Sequence, residues 1–192
     1  MVGTAAATDA PVVGSSLWKD VANVDASRCM DPLVRESDLR VMENVITEEE
    51  ELVVAEECMK ILKRRRYEED HWDQVIVKFK EMERSRWSTE TKRILDRLRE
   101  FSGRVVAGVS LLSPSIMRFK EEHGESIIDA FLPRRSFYVM TGRVRYHYTH
   151  EILPGVQVFR NEFPVNRTRR ISIMLRDEFQ KEHLEAQDIS LS

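Results

Sequence analysis

Hydrophobic and polar positions along this chain fall into two textures, and the change comes near Phe101. Upstream the spacing is helical. Thr47 with Glu50 makes a capping box, and Leu52, Glu56, Met59 and Leu62 follow at helical intervals, with Val53 and Ile61 widening the stripe. Lys63, Arg64, Arg65 and Arg66 close that helix, where cations suit the negative end of its dipole, so the run reads as a solvated terminus rather than a phosphate grip. Ser88 caps a second helix running to Phe101, with Ile94, Leu95, Leu98 and Phe101 on one face.

Downstream the chain breaks into short β-rich runs separated by Gly, Pro and Ser. The pattern predicts strands at Arg104–Leu112, Ile116–Lys120, Ser126–Phe131, Ser136–Thr141, Val144–His150, Val156–Arg160 and Arg170–Arg176, with an earlier one at Leu39–Ile46. Helices followed by a run of short strands give an α+β order, and the strand half suits a sandwich or jelly roll. Seven strands are one short of the roughly eight that a jelly roll uses.

Alternation along a strand puts Arg170, Ser172, Met174 and Arg176 on one face and Ile171, Ile173 and Leu175 on the other. Arg170 and Arg176 stand about 20 Å apart along the strand, and their long side chains can converge on a ligand with two acidic ends. The same spacing also suits two solvent-facing arginines on an edge strand. In the preceding pair of runs, Tyr138 and Met140 share a face, as do Val144, Tyr146, Tyr148 and His150. His150 ends its strand before a Pro-Gly loop, a position suited equally to a structural histidine and to a ligand.

Composition narrows the classes. With 30 basic and 33 acidic side chains the net charge is -3, against a dedicated nucleic-acid-binding domain. Apolar residues make up 42% of the 192, enough for one real core. Cys29 and Cys58 alone suggest neither a disulfide framework nor a zinc set, and no run of about 18 apolar residues offers a membrane span. Residues 1–38 are expected to be an unstructured tail or a weak targeting leader, since Asp9, Asp20 and Asp25 outnumber Lys19 and Arg28 there. The folded domain is expected over 39–180 and a second tail over 181–192.

The stretches RRRYEEDHWD, ERSRW, AGVSLLSPSIMR and YTHEIL, together with the Arg170-x5-Arg176 spacing, resemble the AlkB branch of the iron(II)/2-oxoglutarate dioxygenases, from about Leu39 to Arg176. The resemblance is to a mitochondrial branch linked to fatty-acid metabolism and programmed necrosis, and it implies residence in the mitochondrial matrix. It implies a double-stranded β-helix, a jelly roll with flanking N-terminal helices. It makes His150 the distal iron ligand and Tyr138, Arg170 and Arg176 the contacts to 2-oxoglutarate. Iron(II) and 2-oxoglutarate are the implied cofactors. The family splits 2-oxoglutarate into succinate and CO2 while oxidising a second substrate, here a protein or a small molecule.

One part of the pattern is missing. The family's His-x-Asp metal pair belongs after the second helix and before AGVSLLSPS, yet no histidine or acid occurs between Phe101 and Met117. The early barrel strands that hold the pair are expected to be missing with it, leaving their neighbours' edges open. His71-Trp72-Asp73 has the right spacing in the wrong place, upstream of the second helix. Non-haem iron oxygenases need three protein ligands, so impaired catalysis is expected. A non-catalytic, splice-variant-like binding or decoy module is the alternative.

Overall fold

The computed structural model describes residues 22–65, 80, 82–84, 86–100 and 106–176, the Arg176 side chain excepted. His71 to Asp73, Phe101 and the tails 1–21 and 177–192 lie outside the described residues.

Ten strands and three helices are described: β1 (Val24–Arg28), β2 (Leu39–Met42), α1 (Glu48–Leu62), α2 (Thr89–Arg99), β3 (Val106–Leu111), β4 (Ser115–Glu121), β5 (Ile127–Leu132), β6 (Ser136–Met140), α3 (Gly142–His147), β7 (Tyr148–Ile152), β8 (Val156–Phe159), β9 (Phe163–Asn166) and β10 (Ile171–Arg176). They form two four-stranded antiparallel sheets, ordered β1-β5-β4-β7 and β10-β3-β6-β2, with β8-β9 as a separate ribbon. The result is a jelly-roll-like sandwich, the double-stranded β-helix class, flanked by helices and with its barrel not closed.

Alternation explains the layering. In the second sheet Ala107, Val109, Leu111, Phe137, Val139, Ile171, Ile173 and Leu175 turn outward and bury against α1 and α2. The opposite face of that sheet meets the first one. Leu39, Tyr138 and Met140 pack there against Met117, Phe119, Ile128, Ala130 and Leu132. Sandwich cores form where two such inner faces interdigitate. A small third cluster of Ile116, Leu153, Phe159 and Val165 seats the β8-β9 ribbon.

The helices start where the capping chemistry places them. Thr47 Oγ1 accepts from Glu50 N at 3.2 Å while Thr47 N donates to the Glu50 carboxylate at 3.0 Å. Ser88 Oγ accepts from Thr91 N at 3.2 Å. The buried face of α1 differs from the expected stripe: Glu51, Val54, Ala55 and Cys58 are buried, whereas Leu52 and Met59 are exposed. A carboxylate turns the helix. Glu51 is fully buried because it accepts from Leu112 N at 2.7 Å and from Arg134 Nε at 3.1 Å. Its bonds to the β3-β4 turn and to Arg134, between β5 and β6, outweigh the gain from burying Leu52.

Three further expectations are corrected. Residues 22–38 are not an unstructured tail: β1 pairs with β5, Val24 opposite Ala130, and buries Val24 and Ala26. The strand expected at Val144–His150 is helical through His147, so Tyr148 and His150 share a strand face but Val144 and Tyr146 do not. Gly142 opens that helical turn with φ +45°, where a Cβ would stand 2.4 Å from the Asp38 carboxylate. The Asp38 carboxylate also accepts from Arg143 N, which fixes the turn in place. The strand expected to run to Ile46 stops at Met42, and Ile46 instead buries in the cluster beneath the helices.

Candidate functional site

The strands that carry the candidate residues stand at sheet edges. β7, bearing His150, ends one sheet, and β10, preceded by Arg170 and ending at Arg176, ends the other. On β10 the register sets Ser172 opposite Ser110 and Met174 opposite Gly108, both on the face turned toward the other sheet. Yet Ser172 is exposed and Met174 is 38% exposed. The sandwich is open along this edge.

Tyr138 is on β6, paired with Gly108 of β3. Its side chain is 1% exposed, and its ring lies over the glycine: a Cβ at position 108 would stand 2.5 Å from the phenol oxygen. With no side chain at 108, the phenol crosses β3 toward β10. A glycine inside a strand commonly marks such a close approach.

Arg170 precedes β10 and turns in toward the same place. Its Nε donates to Ser110 Oγ at 3.1 Å and its Nη2 to Ser172 Oγ at 3.4 Å. No carboxylate among the described residues pairs with it. Burial pushes its pKa down to about 10, the Tyr138 phenol steadies the charge, and the neighbouring Arg167 opposes it. Arg167 is itself half-buried, its pKa lowered by burial, and donates through Nη1 to Leu153 O at 3.1 Å. Two guanidinium groups held by hydroxyls and a carbonyl make a strongly anion-seeking environment, because a buried cation without a counter-charge is costly.

The segment leading to Arg170 is held in place. Thr168 N donates to Ser113 Oγ at 2.8 Å, docking it on the β3-β4 turn. That turn carries Leu112 at φ +71°, an unusual conformation for leucine, and Glu51 holds it by accepting from Leu112 N.

His150 lies opposite Phe119 on β4, its ring centroid 5.9 Å from that phenyl, on the inner face with Tyr148 and Ile152. The adjacent carboxylate, Glu151, faces the other way and pairs with Lys120 at 2.6 Å. Among the described residues no three His, Cys, Asp or Glu side chains gather into a set that could hold a metal. The described donors therefore do not fit the iron(II) that the resemblance implies. Arg170, with no carboxylate partner among the described residues, presents a planar donor fork of the kind that suits a carboxylate.

Thus the structure brings Tyr138 and Arg170 to one place and sets His150 on the inner face of the facing sheet. Arg176 ends β10 opposite Val106. Sequence reasoning passed over Gly108, Ser110 and Ser115. The signal for Gly108 was a glycine inside the run VAGVSL.

The fold class is thus a jelly-roll-like double-stranded β-helix, with Arg170 held on Ser110 and Ser172 at the edge of one sheet. No family model matches the chain. Two curated relatives do. The Mus musculus protein "Alpha-ketoglutarate-dependent dioxygenase alkB homolog 7, mitochondrial" is 34% identical over 164 residues, covering 68% of this chain and 74% of its own length. The Bos taurus protein of the same name is 35% identical over 161 residues, covering 66% and 72%. The chain belongs to the AlkB family of alpha-ketoglutarate-dependent dioxygenases.

Proposed function

We propose that this chain is a mitochondrial AlkB-type protein that binds 2-oxoglutarate, its alpha-ketoglutarate cosubstrate, but is impaired in oxygenase chemistry. The observation that carries the reading is Arg170: a half-buried guanidinium held by Ser110 and Ser172 and paired with no described carboxylate. In this reading Arg170 and Arg176 take the carboxylates of the cosubstrate, and the Tyr138 phenol, guided over Gly108, orients it. His150 is the remaining metal-type side chain, and iron binding through it alone would be weak. The mitochondrial setting follows the names of the relatives. Roles in fatty-acid metabolism and programmed necrosis, acting on a protein or small-molecule substrate, complete the proposal. No helix among the described residues is long and apolar enough to cross a membrane.

The test separates binding from turnover. Purified protein is titrated with 2-oxoglutarate by calorimetry, and succinate release is followed with iron(II) added. Binding without turnover supports the proposal. Iron-dependent succinate release that vanishes in His150→Ala would overturn the claim of impairment, while absence of binding would overturn the cosubstrate site.

A further inference from the structure

One polar side chain inside the sandwich has no described partner. Ser115 begins β4, is 0% exposed, and its Oγ makes no hydrogen bond to a described residue. A buried hydroxyl left unpaired costs free energy, and such a group calls for an explanation. Its direction follows from register. Ser115 pairs with Leu132, Met117 with Ala130 and Phe119 with Ile128, and the last five of these residues form the inner core between the sheets. Ser115 therefore points inward.

It stands at the same end of the sandwich as Arg170. The β3-β4 turn joins Leu111 to Ser115, and Ser110, which accepts from Arg170 Nε, is the inward residue on the β3 side of that turn. Ser113, within the turn, accepts from Thr168 N two residues before Arg170. Leu153 N donates to Ile116 O at 2.9 Å, and Leu153 O accepts from Arg167. The one segment that bears Arg167 and Arg170 is thus tied directly to Ser113 and, through Leu153, to Ile116, on either side of Ser115.

We infer that the Ser115 hydroxyl is an additional donor to one carboxylate of 2-oxoglutarate, sharing that carboxylate with Arg170. The inference rests on the cosubstrate reading above. No described residue partners the hydroxyl, and a carboxylate bound there satisfies it and the guanidinium together. A hydroxyl donating to an anion makes a stronger hydrogen bond than a neutral pair.

Calorimetric titration with 2-oxoglutarate, and separately with glutarate, is compared between the wild type, Ser115→Ala and Ser115→Thr, alongside thermal melts without ligand. Ser115→Ala is expected to weaken both ligands about tenfold or more while leaving the ligand-free melting temperature unchanged or higher, since an unsatisfied buried hydroxyl has been removed. Ser115→Thr keeps the hydroxyl on a strand-compatible side chain and is expected to recover most of the affinity. Unchanged affinity in a folded Ser115→Ala protein would overturn the inference and leave the proposed function standing. A wild type that binds neither ligand would overturn both.

Discussion

Tyr138 crosses β3 only because residue 108 is glycine, with room for the phenol oxygen where a Cβ would sit 2.5 Å away. The pairing of a bulky aromatic on β6 with a bare backbone on β3 places the hydroxyl beside the β10 edge. Gly108→Ala is therefore expected to displace the ring. The overpacking should cost about 1–3 kcal/mol of stability, read from urea unfolding, and weaken 2-oxoglutarate at least tenfold. Gly→Ala in a strand usually stabilises the fold, so a gain in stability here would contradict the close approach.

Arg170 should affect stability and binding in opposite directions. Its partial burial without a described counter-charge lowers its pKa to about 10, so the fold holds the cation at a cost throughout neutral pH. Arg170→Met is expected to raise the melting temperature of the ligand-free protein and abolish 2-oxoglutarate binding. Arg170→Lys keeps a charge but loses the planar fork and should bind weakly. A melting temperature that falls in Arg170→Met would show that the arginine is structural.

Glu51 anchors the turn behind the site. It is 0% exposed and bonded to both Leu112 N and Arg134, whereas Glu48, paired with Arg135, has a side chain 70% exposed. Glu51→Ala should cost about 2–4 kcal/mol because it strands a backbone donor and a cation. Glu48→Ala should cost less than about 1 kcal/mol. Chemical denaturation of the two variants tests the contrast, and equal losses would contradict it.

Acid should weaken the protein through carboxylates that tie its elements together. The Arg97 hydrogen bond draws the Glu50 carboxyl below its ordinary range against the pull of burial, joining α1 to α2. Burial raises Glu57, but hydrogen bonds from Ser88 and the nearby Arg84 outweigh it, and at Asp31 burial is likewise outweighed by Arg143. All three have folded pKa values below their unfolded ones of about 4. Their stabilisation is thus fully present above about pH 5 and lost as pH falls through the lowered values. The melting temperature should hold from neutral pH to about 5 and fall below about 4, with a shallower acid limb in Glu50→Gln. An unchanged acid limb in that variant would rule out Glu50 as a contributor.

The legibility of the sequence varied with how local the deciding force was. Capping at Thr47 and Ser88 is a local interaction, so both helix starts were readable. Alternation along β10 was equally plain, because Ile171, Ile173 and Leu175 bury on one side. The α1 face was misjudged because a carboxylate 61 residues from its partner Leu112 decides it. β1 escaped notice because Val24–Arg28 carries two buried apolar side chains and gains its place by pairing with β5. β9 contains Pro164, which suits only an edge ribbon such as β8-β9. At the candidate site, charge and spacing flagged the arginines, but Gly108 and Ser115 stand out only through residues on other strands, Tyr138 beside Gly108 among them, that the sequence places far away.

Calorimetric titration of the wild-type chain with 2-oxoglutarate in the presence of a metal chelator measures the anion site by itself. Saturable binding, lost in Arg170→Met, is the predicted result. Absence of heat at millimolar ligand, or binding that survives Arg170→Met unchanged, would contradict the account.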